Sequence, residues 1–154
     1  MSRAERAKAY FLEGYACSQA VALAFCDIMG VDEQTVAKLM LPFGGGLGRL
    51  RLTCGAVSGM GAVVGAVFSE SENTSENKKK TYAIVQEICE KFKCRHGSLL
   101  CGELLAEMNT PVAVGGVAEV SNAEYNKKRS CADIVYSATE IMEEYLKEKG
   151  IIQE

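Results

Sequence analysis

Residues 54–68 read Cys-Gly-Ala-Val-Ser-Gly-Met-Gly-Ala-Val-Val-Gly-Ala-Val-Phe, a run of almost exclusively small and apolar side chains. Two glycine pairs, Gly55/Gly59 and Gly61/Gly65, have members four residues apart, which places them on successive turns of a helix. Small residues at this spacing let a neighbouring backbone approach closely, although each glycine costs about 1 kcal/mol relative to alanine. The stretch therefore predicts a tightly packed helix in the core.

The rest of the chain is also predicted to be helical nearly throughout. Residues 17–29 are apolar almost all round, which is typical of a buried helix, and Gly30 would end it. Further helices are predicted over residues 2–13, 32–41, 81–94, 101–108 and 131–149. The expected fold class is all-α: a single-domain helical bundle of about five to seven helices over residues 1–154, with a buried Gly/Ala-rich central helix.

Composition and charge exclude several classes of protein. A chain of 154 residues suits one domain with one core, and its formal charge of −3 does not favour a nucleic-acid partner. The first residues are charged and lack the apolar segment of a signal peptide. The longest apolar stretch, residues 56–68, is shorter than the roughly 20 residues that span a bilayer. We therefore expect a cytoplasmic protein without membrane insertion.

Seven cysteines are the unusual feature of this composition. An odd number cannot pair completely within one chain, and a cytoplasmic protein keeps its thiols reduced unless they are catalytic, redox-sensing or metal-bound. The spacing Cys-x-x-Cys is absent, which excludes a thioredoxin-type motif, the usual zinc ribbon and covalent c-type haem. His96 is the single histidine, so chemistry based on several histidines is also excluded.

Four of the seven cysteines are predicted at helix starts: Cys17, Cys54, Cys101 and Cys131. A helix start offers free backbone N–H groups and a positive dipole end, both of which favour thiolate over thiol. Four such positions in one small domain predict a site built from converging thiols.

Local residues refine this prediction. Thr53 and Ser130 are expected N-caps for the helices that start at Cys54 and Cys131. Arg49 and Arg51 precede Cys54 and are expected to lower its pKa, which makes Cys54 the first candidate for the reactive thiol.

The other cysteines have plainer interpretations, because cysteine is often a small buried hydrophobe. Cys26 and Cys89 fall inside apolar helices and are predicted to pack in the core. Cys94 is either a resolving thiol or a residue without a role in the chemistry. The loop at residues 44–48, Gly-Gly-Gly-Leu-Gly, lacks the Lys-Ser/Thr of a phosphate-binding loop. It is expected to adopt positive φ values or to let backbone approach a cofactor or Cys54.

Several motifs taken together resemble the C_GCAxxG_C_C family, small redox-active proteins of bacteria and archaea. They are Gly-Tyr-Ala-Cys-Ser-Gln-Ala-Val at 14–21, Phe-Gly-Gly-Gly-Leu-Gly at 43–48, Cys-Gly-Ala-Val-Ser-Gly at 54–59, and the single cysteines 101 and 131. The resemblance covers roughly residues 14–145. It implies that the four signature cysteines are Cys17, Cys54, Cys101 and Cys131, the same four that the helix starts select.

Three functions remain open at this stage. The first is thiol–disulfide or electron-transfer chemistry with an unknown redox partner, in which an oxidoreductase activity is undecided. The second is a metal-binding module in which Cys17, Cys54, Cys101 and Cys131 hold a [2Fe–2S] cluster or zinc. The resemblance extends distantly to split-Soret cytochromes, which carry an iron–sulfur cluster. The third is a purely structural bundle. The small-residue helix is compatible with a homodimer.

Overall fold

A computed structural model describes residues 1–119 and 131–153, and within these residues the chain is all-α. Its helices are α1 (Arg3–Glu13), α2 (Cys17–Leu23), α3 (Cys26–Met29), α4 (Glu33–Met40), α5 (Gly55–Phe68), α6 (Ser75–His96), α7 (Cys101–Glu107) and α8 (Cys131–Glu148). A short 3-10 helix, Leu41–Phe43, and a glycine-rich turn, Gly44–Leu47, connect α4 to the segment before α5. The predicted all-α fold is confirmed, with slightly more helices than expected.

The Gly/Ala-rich helix α5 packs closely against α2, as its sequence predicted. A Cβ atom on Gly59 would lie only 2.9 Å from the backbone oxygen of Ser18 and from Cβ of Val21. A Cβ atom on Gly55 would lie 2.4 Å from Sγ of Cys17. Both glycines therefore set the distance between the two helices, and Gly55 also makes room for a cavity thiol.

The second glycine pair of α5 does not have this role. A Cβ atom on Gly61 or Gly65 would meet no atom within 4 Å. The four-residue spacing alone predicted close packing at both pairs. The prediction was wrong for this pair because these two residues lie on a face of α5 that no neighbouring backbone approaches.

The predicted continuous helix over residues 17–29 is divided into α2 and α3. Phe25 leaves the helical conformation, with φ −120° and ψ 11°, and its side chain is fully buried. Arg3 lies over the Phe25 ring and donates a hydrogen bond of 2.8 Å to the backbone oxygen of Ala24. The same guanidinium pairs with Asp27 at 2.6 Å. A side chain from α1 thus satisfies the carbonyl at the break, which sequence periodicity could not reveal.

Side-chain caps determine where two of the helices begin. Asp32 caps α4 as predicted, accepting a 3.0 Å hydrogen bond from the Thr35 backbone N–H. Helix α6 begins at Ser75, well before the predicted start at residue 81, because Thr74 accepts a 3.1 Å hydrogen bond from the Asn77 backbone N–H. Residues 75–80 are polar, so hydrophobic periodicity did not indicate the start of the helix there.

The last helix, α8, forms one side of the core and contacts α1, α2, α5 and α6. Its buried residues include Val135, Ala138, Ile141, Met142 and Leu146. The expected cap at Ser130 lies outside the described residues. Among residues 1–119 and 131–153, no helix has both the length and the apolar character needed to cross a membrane.

Candidate functional site: a cavity lined by four cysteines

The four cysteines predicted at helix starts line one cavity of about 330 Å³. Cys17 and Cys101 are the first residues of α2 and α7, Cys54 directly precedes α5, and Cys131 is the first residue of α8. Apolar side chains complete the walls, among them Phe11, Leu104, Leu105 and Ile134. The structure thus brings together cysteines that lie far apart in the sequence.

A short antiparallel bridge joins the starts of α5 and α7. Thr53 pairs with Leu100, and the backbone N–H of Cys101 donates a 2.6 Å hydrogen bond to the oxygen of Leu52. The N–H of Cys54 donates to the Leu99 oxygen at 2.8 Å. Thr53 therefore does not cap α5 as predicted, because its backbone belongs to the bridge and Cys54 occupies the cap position. The bridge thus joins the two segments that carry Cys54 and Cys101, both of which line the cavity.

The glycine-rich turn encloses the Cys101 side of the cavity. Gly45, Gly46 and Gly48 have φ values of 66°, 71° and 56°, so the predicted positive φ values are confirmed. A Cβ atom on Gly46 would lie 2.6 Å from both Cβ of Cys101 and the backbone nitrogen of Leu52. Glycine is required at this position for two reasons: its left-handed backbone and the contact with Cys101.

Cys54 is the most buried of the four, with 6% of its surface exposed. Burial raises the pKa of the Cys54 thiol, and the neighbouring Cys17 raises it further. Hydrogen bonds from the backbone of Ala56 and Val57 lower this pKa, but by less than burial raises it. The expectation that Arg49 and Arg51 lower this pKa was therefore wrong: desolvation dominates.

Arg51 instead lies against Cys101. Its side chain is only 5% exposed, and Nη1 lies 3.7 Å from Sγ of Cys101, with the guanidinium donating to sulfur. Nε donates a 2.9 Å hydrogen bond to the Ala113 oxygen, and Nη2 lies 3.7 Å from the carboxylate of Glu119. The backbone of Arg51 has φ 61°, which is uncommon outside glycine and turns the side chain back into the cavity.

Arg49 and Glu119 form the adjoining wall. Nη2 of Arg49 lies 2.5 Å from Oε1 of Glu119, and Nη1 donates a hydrogen bond to the Gly115 oxygen. The backbone of Gly115 in turn donates to the Arg49 oxygen at 2.8 Å. The hydrogen bond from Arg49, with the positive charges of Arg49 and Arg51, lowers the pKa of Glu119 to about 2. We call this arrangement the arginine–glutamate clasp.

The clasp was not predictable from sequence patterns alone. Glu119 lies in residues 110–119, which have no regular secondary structure. Its position beside two arginines some seventy residues earlier follows only from the tertiary fold. The sequence did show Arg49 and Arg51 next to a glycine-rich loop. We interpreted these two arginines as residues that lower the pKa of Cys54, whereas they pair with Glu119.

The remaining cysteines lie outside this cavity. Cys26 and Cys89 are half-buried against the core, in line with their packing interpretation, and burial raises the pKa of both thiols. Cys94 is exposed near the end of α6, where its Sγ lies 3.8 Å from Oε1 of Glu90. A resolving role for Cys94 in the cavity finds no support in this position.

The cavity cysteines are not arranged as a metal site. Across the two described ranges, no three cysteine, histidine, aspartate or glutamate side chains are grouped so that they could hold a metal ion, and no disulfide is formed. The four-cysteine donor set suits zinc or an iron–sulfur cluster in its chemistry. Its present geometry does not provide a ready-made coordination shell.

Comparison with known proteins gives one match. The profile of a family described as "Putative redox-active protein (C_GCAxxG_C_C)" matches residues 15–145, which is most of the chain. No curated protein and no solved structure shows significant similarity to it.

Proposed function

This chain belongs to the C_GCAxxG_C_C family of redox-active proteins, and from this membership we propose that its cavity cysteines carry out thiol–disulfide or electron-transfer chemistry. One observation carries the proposal: Cys17, Cys54, Cys101 and Cys131 come from four separate segments and line the same cavity. If these cysteines served only as small core residues, nothing would favour their common position around a cavity of about 330 Å³.

The proposed reaction is a two-electron exchange with a disulfide substrate. One cavity thiolate attacks the substrate disulfide, so that a mixed disulfide forms and the first substrate sulfur leaves as a thiol after taking up a proton. A second cavity cysteine then attacks the mixed disulfide and releases the other substrate sulfur. The protein dithiol is oxidised to a disulfide while the substrate is reduced to two thiols.

The apolar lining supports such a reaction. Phe11, Leu104, Leu105 and Ile134 reduce the contact of the cavity sulfurs with bulk water, which slows the attack of competing thiols on a mixed disulfide. The cavity of about 330 Å³ falls within the range of small-molecule sites, so a low-molecular-weight disulfide or one side chain of a partner protein would fit.

The test is direct mapping of disulfides. A variant carrying Cys26→Ser, Cys89→Ser and Cys94→Ser keeps only the cavity thiols, and its reduced form is treated anaerobically with excess cystine. We expect the loss of at least two thiols per chain and disulfides among the four cavity cysteines in mass spectra, all reversible by dithiothreitol. Denatured protein, treated identically, is the control for random pairing. Cavity cysteines that stay reduced in the folded variant would contradict the proposal.

A second candidate function is a metal-binding module that uses the same four cysteines for a [2Fe–2S] cluster or zinc. The observation in its favour is the shared position of four thiols around one cavity, since such a donor set is common to both groups. The lack of a preformed coordination shell in the described residues weighs against it. Anaerobic purification followed by iron and zinc analysis separates the two functions: a stoichiometric metal that Cys17→Ser abolishes would favour the metal-binding module.

A further inference from the structure

We propose that Cys101 is the attacking thiol of the cavity and that Arg51 is the residue that positions and activates it. The inference rests on the proposed thiol–disulfide function and assigns roles within it. It departs from the sequence-based choice of Cys54, which the same two arginines had favoured.

The first argument compares the surroundings of the two thiols. Cys54 is 6% exposed, so a disulfide substrate can hardly reach its sulfur. Cys101 is only partly buried, and a guanidinium nitrogen of Arg51 lies 3.7 Å from its sulfur. A guanidinium at this distance donates a charge-assisted hydrogen bond to the sulfur, and the partly exposed sulfur remains within reach of a substrate. These surroundings favour attack by Cys101.

The second argument is that several backbone contacts hold Arg51 in this place. The oxygen of Arg51 accepts a 3.1 Å hydrogen bond from the Gly102 N–H, and the Leu52 oxygen accepts one of 2.6 Å from Cys101. The N–H of Arg51 donates to the Gly45 oxygen at 3.1 Å. With φ at 61°, the Arg51 backbone is in a conformation that surrounding structure must enforce. The contact between Arg51 and Cys101 is therefore built into the fold.

The third argument concerns the products of the attack. When Sγ of Cys101 bonds to one sulfur of a substrate disulfide, the S–S bond breaks and negative charge passes to the leaving sulfur. Arg51 lines the cavity, as do Arg49 and its ion-pair partner Glu119, so the cavity wall carries two positive charges against one negative charge. The arrangement favours disulfides whose leaving thiol is acidic or carries a carboxylate. Cys17, Cys54 and Cys131 remain as the source of the second thiol, which resolves the mixed disulfide.

The experiment measures the alkylation rate of each cysteine in reduced, folded protein at pH 7, with residue-resolved mass spectrometry. Iodoacetamide, which is neutral, and iodoacetate, which is anionic, are compared in parallel. We expect Cys101 to react fastest of the four cavity cysteines and to favour iodoacetate relative to N-acetylcysteine, a free thiol that serves as the reference. This first measurement needs no variant.

The second measurement replaces the guanidinium. Arg51→Met should slow the reaction of Cys101 with iodoacetate by about tenfold and with iodoacetamide by less, because the anionic reagent loses its charge partner as well. Arg51→Lys should restore most of the preference for iodoacetate. Arg95→Met, which removes a half-exposed arginine from α6, is the matched control and should leave Cys101 unchanged. A purely structural role for Arg51 would slow both reagents equally, and lysine would not restore the preference.

The outcomes distinguish this inference from the function on which it rests. If Cys17, Cys54 or Cys131 reacts faster than Cys101, the assignment of the attacking thiol is overturned, whether or not the Arg51 variants fold. If cystine still produces cavity disulfides in that case, the proposed thiol–disulfide function stands with another attacking cysteine. If no cavity disulfide forms at all, the function fails and the roles of Cys101 and Arg51 fail with it.

Discussion

At the scale of single residues, glycines of one helix differ in what their missing side chains would touch. Gly59 faces α2, where a Cβ atom would lie 2.9 Å from a backbone oxygen, whereas Gly61 faces open space. Backbone cannot move aside as a flexible side chain can, so an added methyl group at Gly59 forces the helices apart. The two positions are close in sequence and form a natural comparison.

We expect opposite effects on stability from the same substitution at these two glycines. Gly59→Ala should destabilise the protein by about 1–3 kcal/mol through overpacking. Gly61→Ala should stabilise it by about 0.5–1 kcal/mol, because alanine restricts the unfolded chain and has the better helix propensity. Urea unfolding of the two variants measures both values. Equal effects of the two substitutions would show that α5 does not pack against α2 as described.

The four cysteines that the helix-start pattern selected line one cavity, but their environment was predicted incorrectly. Cys17, Cys54, Cys101 and Cys131 were recognisable because helix starts have local signals. The high pKa of Cys54 was not predictable, because it results from burial by distant segments. Nor was the direction of Arg51, which depends on a left-handed backbone conformation that a non-glycine residue seldom adopts.

At the scale of structural elements, periodicity predicted helices well and tertiary contacts decided where they end. The break between α2 and α3 depends on Arg3, which reaches from α1 to the carbonyl of Ala24. The apolar run over residues 17–29 contains no signal for that break. The early start of α6 was at least readable in Thr74, a good N-cap followed by polar residues.

The arginine–glutamate clasp leads to a prediction about hydrogen exchange in residues 113–117. Glu119→Gln removes the charge that holds Arg49 and Arg51, so amides of residues 113–117 should exchange hydrogen faster at pH 7 in mass-spectrometric measurements. Glu107→Gln, an exposed acid at the end of α7, is the matched control. Unchanged exchange in Glu119→Gln would mean that backbone contacts alone hold the segment.

The same carboxylate sets the pH dependence of the clasp. The pKa of folded Glu119 is about 2, below its ordinary value of 4.5, so the ionised form is favoured by folding. Its contribution to stability is therefore fully present above about pH 4.5 and is lost as the pH falls towards 2. The difference in unfolding free energy between the wild type and Glu119→Gln should shrink over that same interval. A constant difference would contradict the assigned ion pair.

At the scale of the whole molecule, the cavity depends on the complete core, because its four cysteines come from segments throughout the chain. Leu146 is fully buried in α8, whereas Leu39 in α4 is 64% exposed. Leu146→Ala should lower the free energy of unfolding by about 2–5 kcal/mol, and Leu39→Ala by no more than about 0.5 kcal/mol. Urea titrations of both variants test this.

A second readout shows whether the cavity and the core unfold together. Cys54 is protected by the fold, so a brief pulse of alkylating reagent should label it only in unfolded molecules. Its labelling midpoint in urea should coincide with the loss of helical circular dichroism and move to lower urea in Leu146→Ala. Labelling of Cys54 well before the loss of helix would show that the cavity opens independently.

The origin of the four cysteines in separate segments also bears on how the protein is made. A ribosome adds about 5–20 residues per second, so Cys17 emerges several seconds before Cys131 and the helix that follows it. Until α8 is available, the faces of α1, α2 and α5 that it covers remain open, and the early thiols lack their finished surroundings. Cys54, which the completed core buries, is therefore open to oxidants during synthesis, and this is the period in which that thiol most needs a reducing environment.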